Sequence, residues 1–249
     1  MIHSFIGLTV GVIMGLTGAG GALISIPLFI SLTNASLKEA TVLSLFAVML
    51  GTLVNLYGQK FKTDKKIVFG IVIFGALANF VSLPLKALTP DLFIAILLAL
   101  IGVLSIVSVW VKRIEQDSIE SKHSIIKIAF TGILLGIITT LTGLGGGVIL
   151  VPILIRGFGK NYEEALPTSL MTIFFISLIS FLLQIQMGLS LITLPDLSLI
   201  ALGVVLAFFI LRIVIRRLEQ GKLEILRKLI FSAVTLYSVI SVFLKSLGS

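Results

Sequence analysis

Cysteine is absent from this 249-residue sequence, which excludes disulfides, thiolate chemistry and cysteine-ligated metals. Only two histidines occur, His3 near the amino terminus and His123 in a charged stretch, so no histidine metal site is expected and no cofactor is implied. Charge is scarce as well: 12% of residues are Asp, Glu, Lys or Arg, where a soluble domain carries about a quarter. Apolar residues take their place, at 57%, with a mean hydropathy of +1.20. They come in runs of about twenty, the length that crosses a ~30 Å hydrocarbon layer as helix. A soluble enzyme, a disordered chain and a fibrous one are thereby excluded. No basic segment precedes the first apolar run, so a cleavable signal peptide is not expected.

The formal net charge is +8, from 19 Lys and Arg against 11 Asp and Glu. A basic balance can mark a nucleic-acid binder, but these charges fall in short stretches between apolar runs. Membrane topology is the better reading, and nucleic acid is not expected as a partner.

The sequence repeats itself. Residues 16–27 read LTGAGGALISIP and residues 141–152 read LTGLGGGVILVP, an offset of 125 with seven of twelve positions identical. The same offset pairs Gly7 with Gly132, Gly11 with Gly136, Glu39-Ala40 with Glu164-Ala165, and Ser44-Leu45 with Ser169-Leu170. A tandem duplication follows, with a first transmembrane repeat over 1–111, a charged linker over 112–124 and a second repeat over 125–249.

Each half has one compound apolar segment, 3–33 or 125–158, and three plain spans. The spans are 40–58, 67–87 and 91–111, then 164–187, 193–214 and 223–245. Thr89-Pro90-Asp91 reads as the start of the third span, with Thr89 as its cap. The compound segments are broken at Thr17-Gly18-Ala19-Gly20-Gly21 and at Thr142-Gly143-Leu144-Gly145-Gly146-Gly147, poor helix interior. If each segment crossed once, the cations would divide evenly between the two sides. If each is a hairpin that returns to its side of entry, sixteen of the nineteen fall on one side, leaving Lys38, Lys86 and Lys245 opposite. That asymmetry is the one membranes impose. The expected fold is therefore an all-α polytopic membrane protein of two inverted repeats, each a Gly-broken helical hairpin plus three transmembrane helices. Both termini are expected outside. Hairpin arms of about 12–15 residues reach only ~18–22 Å, so re-entrant hairpins meeting near the midplane are expected.

Broken helices at matching positions of inverted repeats point to a transport site. A short helix begins after each Gly cluster, and its first turn offers N–H donors at the positive end of a helix dipole. Gly20, Gly21, Gly145, Gly146 and Gly147 would let an anion reach the backbone, with Thr17 and Thr142 adding hydroxyls nearby. Thr168 and Ser169, following Pro167 in the first turns of the next helix, are further candidate donors. Gly7, Gly11, Gly15, Gly132 and Gly136 recur every four residues and read instead as close helix packing. No ionisable residue is expected mid-span, so an anion would be held by backbone and hydroxyl donors alone. Proteolytic pairs and nucleotide-binding motifs are absent, and no enzymatic activity is expected.

GLTVGVIMGLTGAGGALISIPLFI and TGILLGIITTLTGLGGGVILVPILI, each followed by an Ala/Ser-containing helix start, resemble the sulfite exporter TauE/SafE-like family over the whole chain. The resemblance implies a bacterial-type inner (plasma) membrane protein that moves small sulfur-containing anions such as sulfite, sulfonates or sulfoacetate. Val42-Leu43-Ser44 stands where Pro167-Thr168-Ser169 stands in the second half, a departure from symmetry. The expected function is secondary transport of such an anion by one repeat rocking against the other. A gated anion channel and a non-transporting membrane assembly partner are the alternatives. The expected partners are the small anion and the lipid bilayer, with oligomeric state open.

Overall fold

The computed structural model describes residues 2–17, 21–56, 63–110, 124–188, 193–215 and 220–247. Within them the chain is helical, without a strand, in ten helices. The first half gives α1 (Ile2–Thr17), α2 (Gly21–Thr33), α3 (Leu37–Leu56), α4 (Lys65–Leu88) and α5 (Asp91–Trp110). The second gives α6 (Ile125–Thr142), α7 (Gly147–Phe158), α8 (Tyr162–Gln186), α9 (Leu194–Ile215) and α10 (Gln220–Leu247). Stretches of α3, α4, α6, α8, α9 and α10 are long and apolar enough to cross a membrane, six in all among the described residues. Their outward faces are apolar: Phe69 is 72% exposed and Ile126 78%. Water would penalise such a surface and lipid does not.

Both compound segments resolve into two helices. In the second half the chain visibly turns back on itself. The Lys127 ammonium at the start of α6 donates to the Gly157 carbonyl near the end of α7 at 3.4 Å, and Gly146 sits beside Leu135 and Thr139 of α6. The arms are unequal, which corrects the expectation of uniformly short ones. At 18 residues α6 is itself a candidate span, whereas α7 has 12. Thr89 also has a different place from the one expected. It closes α4, its hydroxyl donating to the Leu85 carbonyl at 2.6 Å, and Pro90 precedes the first turn of α5.

The small-residue stripes explain the closest helix pairs. A Cβ on Gly7 would overlap Ile200 of α9, and one on Gly11 would reach Val204 and Ala207. In the other pairing a Cβ on Gly132 would meet Ile71 of α4, and one on Gly136 would meet Gly75 and Ala78. Residue numbers rise together in both pairs, so α1 runs parallel to α9 and α6 to α4. Each pair joins one half of the chain to the other. Two further pairs cross between the halves, α3 on α8 and α5 on α10, whereas α2 on α3 and α7 on α8 pack within one half.

Helices α3 and α8 run in opposite directions, since Phe46 stacks on Phe181 at 5.2 Å while Thr41 and Gln184 meet at one side chain. Helices α4 and α8 run the same way, bridged from Asp64 to Thr168, from Asn79 to Ile176 and from Lys86 to Gln184. At one end Asp64 caps α4 by accepting from the Lys66 and Ile67 N–H groups. It also pairs with Lys160 at 2.8 Å, and Lys160 reaches Glu164 at 3.5 Å. Burial works against the Lys160 ammonium, but the hydrogen bond and charge of Asp64, with Glu164, outweigh it and raise its pKa above 10.5. A raised folded-state pKa stabilises the fold below the ordinary lysine value, and the contribution is lost as pH climbs through the raised one. Above pH 10.5 the melting temperature should therefore fall more steeply in the parent than in Lys160→Met. Equal slopes would remove this bridge from the stability of the fold.

Candidate functional site

The second Gly cluster is where the backbone leaves regular geometry. Gly143, Gly145 and Gly146 have φ of +71°, +65° and +71°, values that side chains rarely tolerate. Gly143 ends α6 with its N–H on the Thr139 carbonyl at 2.9 Å. The Thr142 hydroxyl donates to the Ile138 carbonyl at 2.7 Å and accepts from the Leu144 N–H at 3.3 Å. Thr142 is thus a brace for the turn. Gly146 is the N-cap of α7 and, being glycine, supplies no side-chain cap. The Ile149 and Leu150 N–H groups both donate to the Gly146 carbonyl, at 3.2 and 3.0 Å, which leaves Gly147 and Val148 at the positive end of the helix dipole without an intrahelical acceptor.

Close packing needs the glycines. A Cβ on Gly145 would lie 2.7 Å from Val48 Cγ1 and 2.9 Å from the Ser177 hydroxyl. One on Gly143 would meet Thr41 at 2.8 Å. Helix α3 of the first half therefore packs directly on the hairpin of the second. Ser44 of α3 donates to the Gly143 carbonyl at 3.1 Å, and Ser25 of α2 donates to Ser44 at 2.7 Å. Ser25 is one turn beyond Gly21, so two hydroxyls connect the start of α2 with the tip of the other hairpin.

Among the described residues three buried hydroxyls have no hydrogen-bond partner: Thr139, Ser169 and Ser177. Two of them line the hairpin tip. Ser177 faces Gly145, and the Thr139 hydroxyl is 3.7 Å from where a Gly146 Cβ would stand. An orphan buried hydroxyl costs about 1–3 kcal/mol and calls for an explanation. Here the explanation is local. The two unpartnered hydroxyls stand beside Gly145 and Gly146, just before the start of α7, and no carboxylate among the described residues is bonded to them.

The structure brings Thr142, Gly145, Gly146 and Gly147 together at this tip. Thr168 sits apart from it, its hydroxyl accepting from the Asp64 N–H at 3.2 Å. Ser169 is buried and unpartnered about one turn before Ile173, which also lines Gly145. In the first half Thr17 ends α1 and Gly21 opens α2, while Gly20 lies outside the described residues. Thr139 and Ser177 escaped sequence reasoning. Ser177 falls two turns after Ser169 on the same helix face, a spacing that could have suggested it.

Lys86 is the larger surprise. The sequence places it among the cations on the outer side, and it does stand at a span end, two residues before the close of α4, yet it is fully buried. Its ammonium donates to the Thr41 hydroxyl at 2.6 Å and to the Gln184 side-chain oxygen at 2.5 Å. An ammonium is therefore enclosed among the helices, in addition to the backbone and hydroxyl donors expected. Helix α8 packs on α4, and the start of α3 reaches the end of α4 through Thr41 and Lys38, so a residue that the hydropathy pattern leaves at a span end is enclosed.

Comparison with known proteins returned no match among curated proteins and none among solved structures. The family model described as sulfite exporter TauE/SafE matches residues 4–242, nearly the whole chain. With its long apolar helices and the glycine-built turn between α6 and α7, this integral membrane protein belongs to the sulfite exporter TauE/SafE family of transporters.

Proposed function

We propose that the protein is a secondary transporter for a small sulfur-containing oxyanion, of the sulfite, sulfonate or sulfoacetate class. The reading rests on one observation above all: unpartnered Thr139 and Ser177 beside the uncapped N-terminus of α7, at a tip built from Gly145, Gly146 and Gly147. A tetrahedral or pyramidal oxyanion offers several acceptor oxygens to such a set, and glycine allows them to reach the backbone. Family membership supplies the sulfur chemistry of the substrate.

The two repeats are inverted with respect to one another in the plasma membrane, with both termini outside. The opposite directions of the equivalent helices α3 and α8 support this, as does the distribution of cations along the sequence. Ser169 belongs to the same site, and Thr17, Gly20 and Gly21 are its counterparts in the first repeat by sequence, Gly20 lying outside the described residues. Thr168 serves it indirectly, by holding α8 to the start of α4. The site is sealed: Thr139, Thr142 and Ser177 have 0% exposure. A sealed site loads only when helices move, which favours a carrier with alternating access over an open pore.

Purified protein in vesicles should carry labelled sulfite saturably, at about 10³ ions per second or fewer, the rate that helix motion at the millisecond end of the μs–ms range allows. Much faster electrical currents would make it a channel. No flux of any small sulfur anion would leave the assembly-partner reading in its place.

A further inference from the structure

Lys86 is the only charged side chain that is fully buried among the described residues. Its two acceptors, the Thr41 hydroxyl and the Gln184 amide oxygen, are both neutral. Among the described residues no carboxylate pairs with it, and the charge that bears on it is another cation, Lys38. Lys38 in turn is anchored by donating to the Ala87 carbonyl at 3.0 Å. A buried charge without a counterion is unfavourable, and proteins that keep one use it. An ammonium has three donors, and two are occupied here.

Two paths connect Lys86 with the hairpin tip. On one side Thr41, which accepts from Lys86, packs its backbone against Gly143. On the other, Gln184 donates to the Thr140 carbonyl at 3.4 Å and to the Ser180 hydroxyl at 3.0 Å. The Thr140 hydroxyl then donates to the Asn79 oxygen at 2.9 Å, and the Asn79 amide donates to the Ile176 carbonyl at 3.3 Å. Ser177, with its free hydroxyl, is the next residue. The network fills the space between α3, α4, α6 and α8 with polar groups, and the cation stands at its end.

We propose that Lys86 is the counter-charge for the transported anion, held beside the hairpin site by Thr41 and Gln184 and left unpaired so that the anion itself completes the pair. This rests on the anion-transport reading and deepens it, for it puts a full positive charge where hydroxyls and backbone dipoles alone would otherwise act. The neutral ligands of Lys86 are then part of the design: a carboxylate at either position would compete with the substrate.

Two substitutions test this in the full-length protein, with sulfite binding measured by titration calorimetry in detergent and melting temperature measured alongside. Lys86→Gln removes the charge, and sulfite affinity should fall by at least about tenfold, the scale of one close charge pair in a partly screened interior. Gln184→Glu leaves Lys86 in place and answers its charge. Its melting temperature should rise while sulfite affinity falls by a similar factor of about ten. A merely structural lysine would give the first result of that pair without the second. If Lys86→Gln does not fold, Gln184→Glu decides alone. Parent-like affinity in Gln184→Glu would overturn the proposal while leaving the transport reading standing. Failure of the parent chain to bind or carry sulfite would instead remove the reading on which it rests.

Discussion

Gly145→Val should reduce sulfite flux by about a hundredfold or more and lower the melting temperature by roughly 5–20 °C. Two effects add. The first is backbone strain, because φ is +65° and a β-branched residue there costs about 1–3 kcal/mol. The second is crowding. The new Cβ would stand 2.7 Å from Val48, 2.9 Å from the Ser177 hydroxyl and 3.1 Å from Ile173. Overpacking of this kind costs about 1–3 kcal/mol more. Relief would require α3 and α8 to part, and that displaces Ser177 from the site. Gly188 supplies the control, since its φ is +68° and nothing lies within 4 Å of where its Cβ would be. Gly188→Val should carry the strain alone, with flux preserved. Equal flux in Gly145→Val and the parent, measured in vesicles, would remove the hairpin tip from the transport path.

The pair Thr139→Val with Ser177→Ala should do the reverse to stability. Each orphan hydroxyl costs about 1–3 kcal/mol in the empty protein, and an apolar replacement of similar shape relieves that cost. The double variant should therefore melt at the same temperature or a few degrees higher, at about 2–4 °C per kcal/mol for a chain of this size. Anion binding should suffer. A hydrogen bond to a charged acceptor is worth about 1.5–3 kcal/mol, so the loss of both should weaken sulfite binding by at least about a hundredfold. Higher stability with lower affinity is the signature of groups kept for a ligand. Lower stability with unchanged affinity would mean that the two hydroxyls hold the fold through buried water, and would end their role as anion donors.

How far the sequence discloses this molecule depends on the range of the interaction. The helix breaks at Thr17–Gly21 and Thr142–Gly147 are visible because glycine acts on its own backbone, and the duplication is visible because its register survives over both halves. The packing role of Gly7, Gly11, Gly132 and Gly136 is legible in their four-residue spacing. Their partners are not, because nothing local says that α1 finds α9 or that α6 finds α4. Thr142 looks like an anion donor from its position, yet its hydroxyl is spent on the turn. Thr139 and Ser177 look like any membrane-helix hydroxyl until the absence of partners singles them out. Lys86 is the sharpest case. Two residues from the end of an apolar run a lysine reads as a surface cation, and only α3 and α8 closing over it make it an interior one.

The crossed pairing of helices also bears on how the molecule moves. Backbone meets backbone where Gly7 and Gly11 lie on α9 and where Gly132 and Gly136 lie on α4. Contacts so close slide or hinge poorly, so α1 with α9 and α6 with α4 travel as stiff struts. Each strut takes one helix from either half. The tightest contacts therefore cross the line of duplication, and the proposed alternating access would have to shift mixed bodies, each holding helices of both halves, instead of one half against the other.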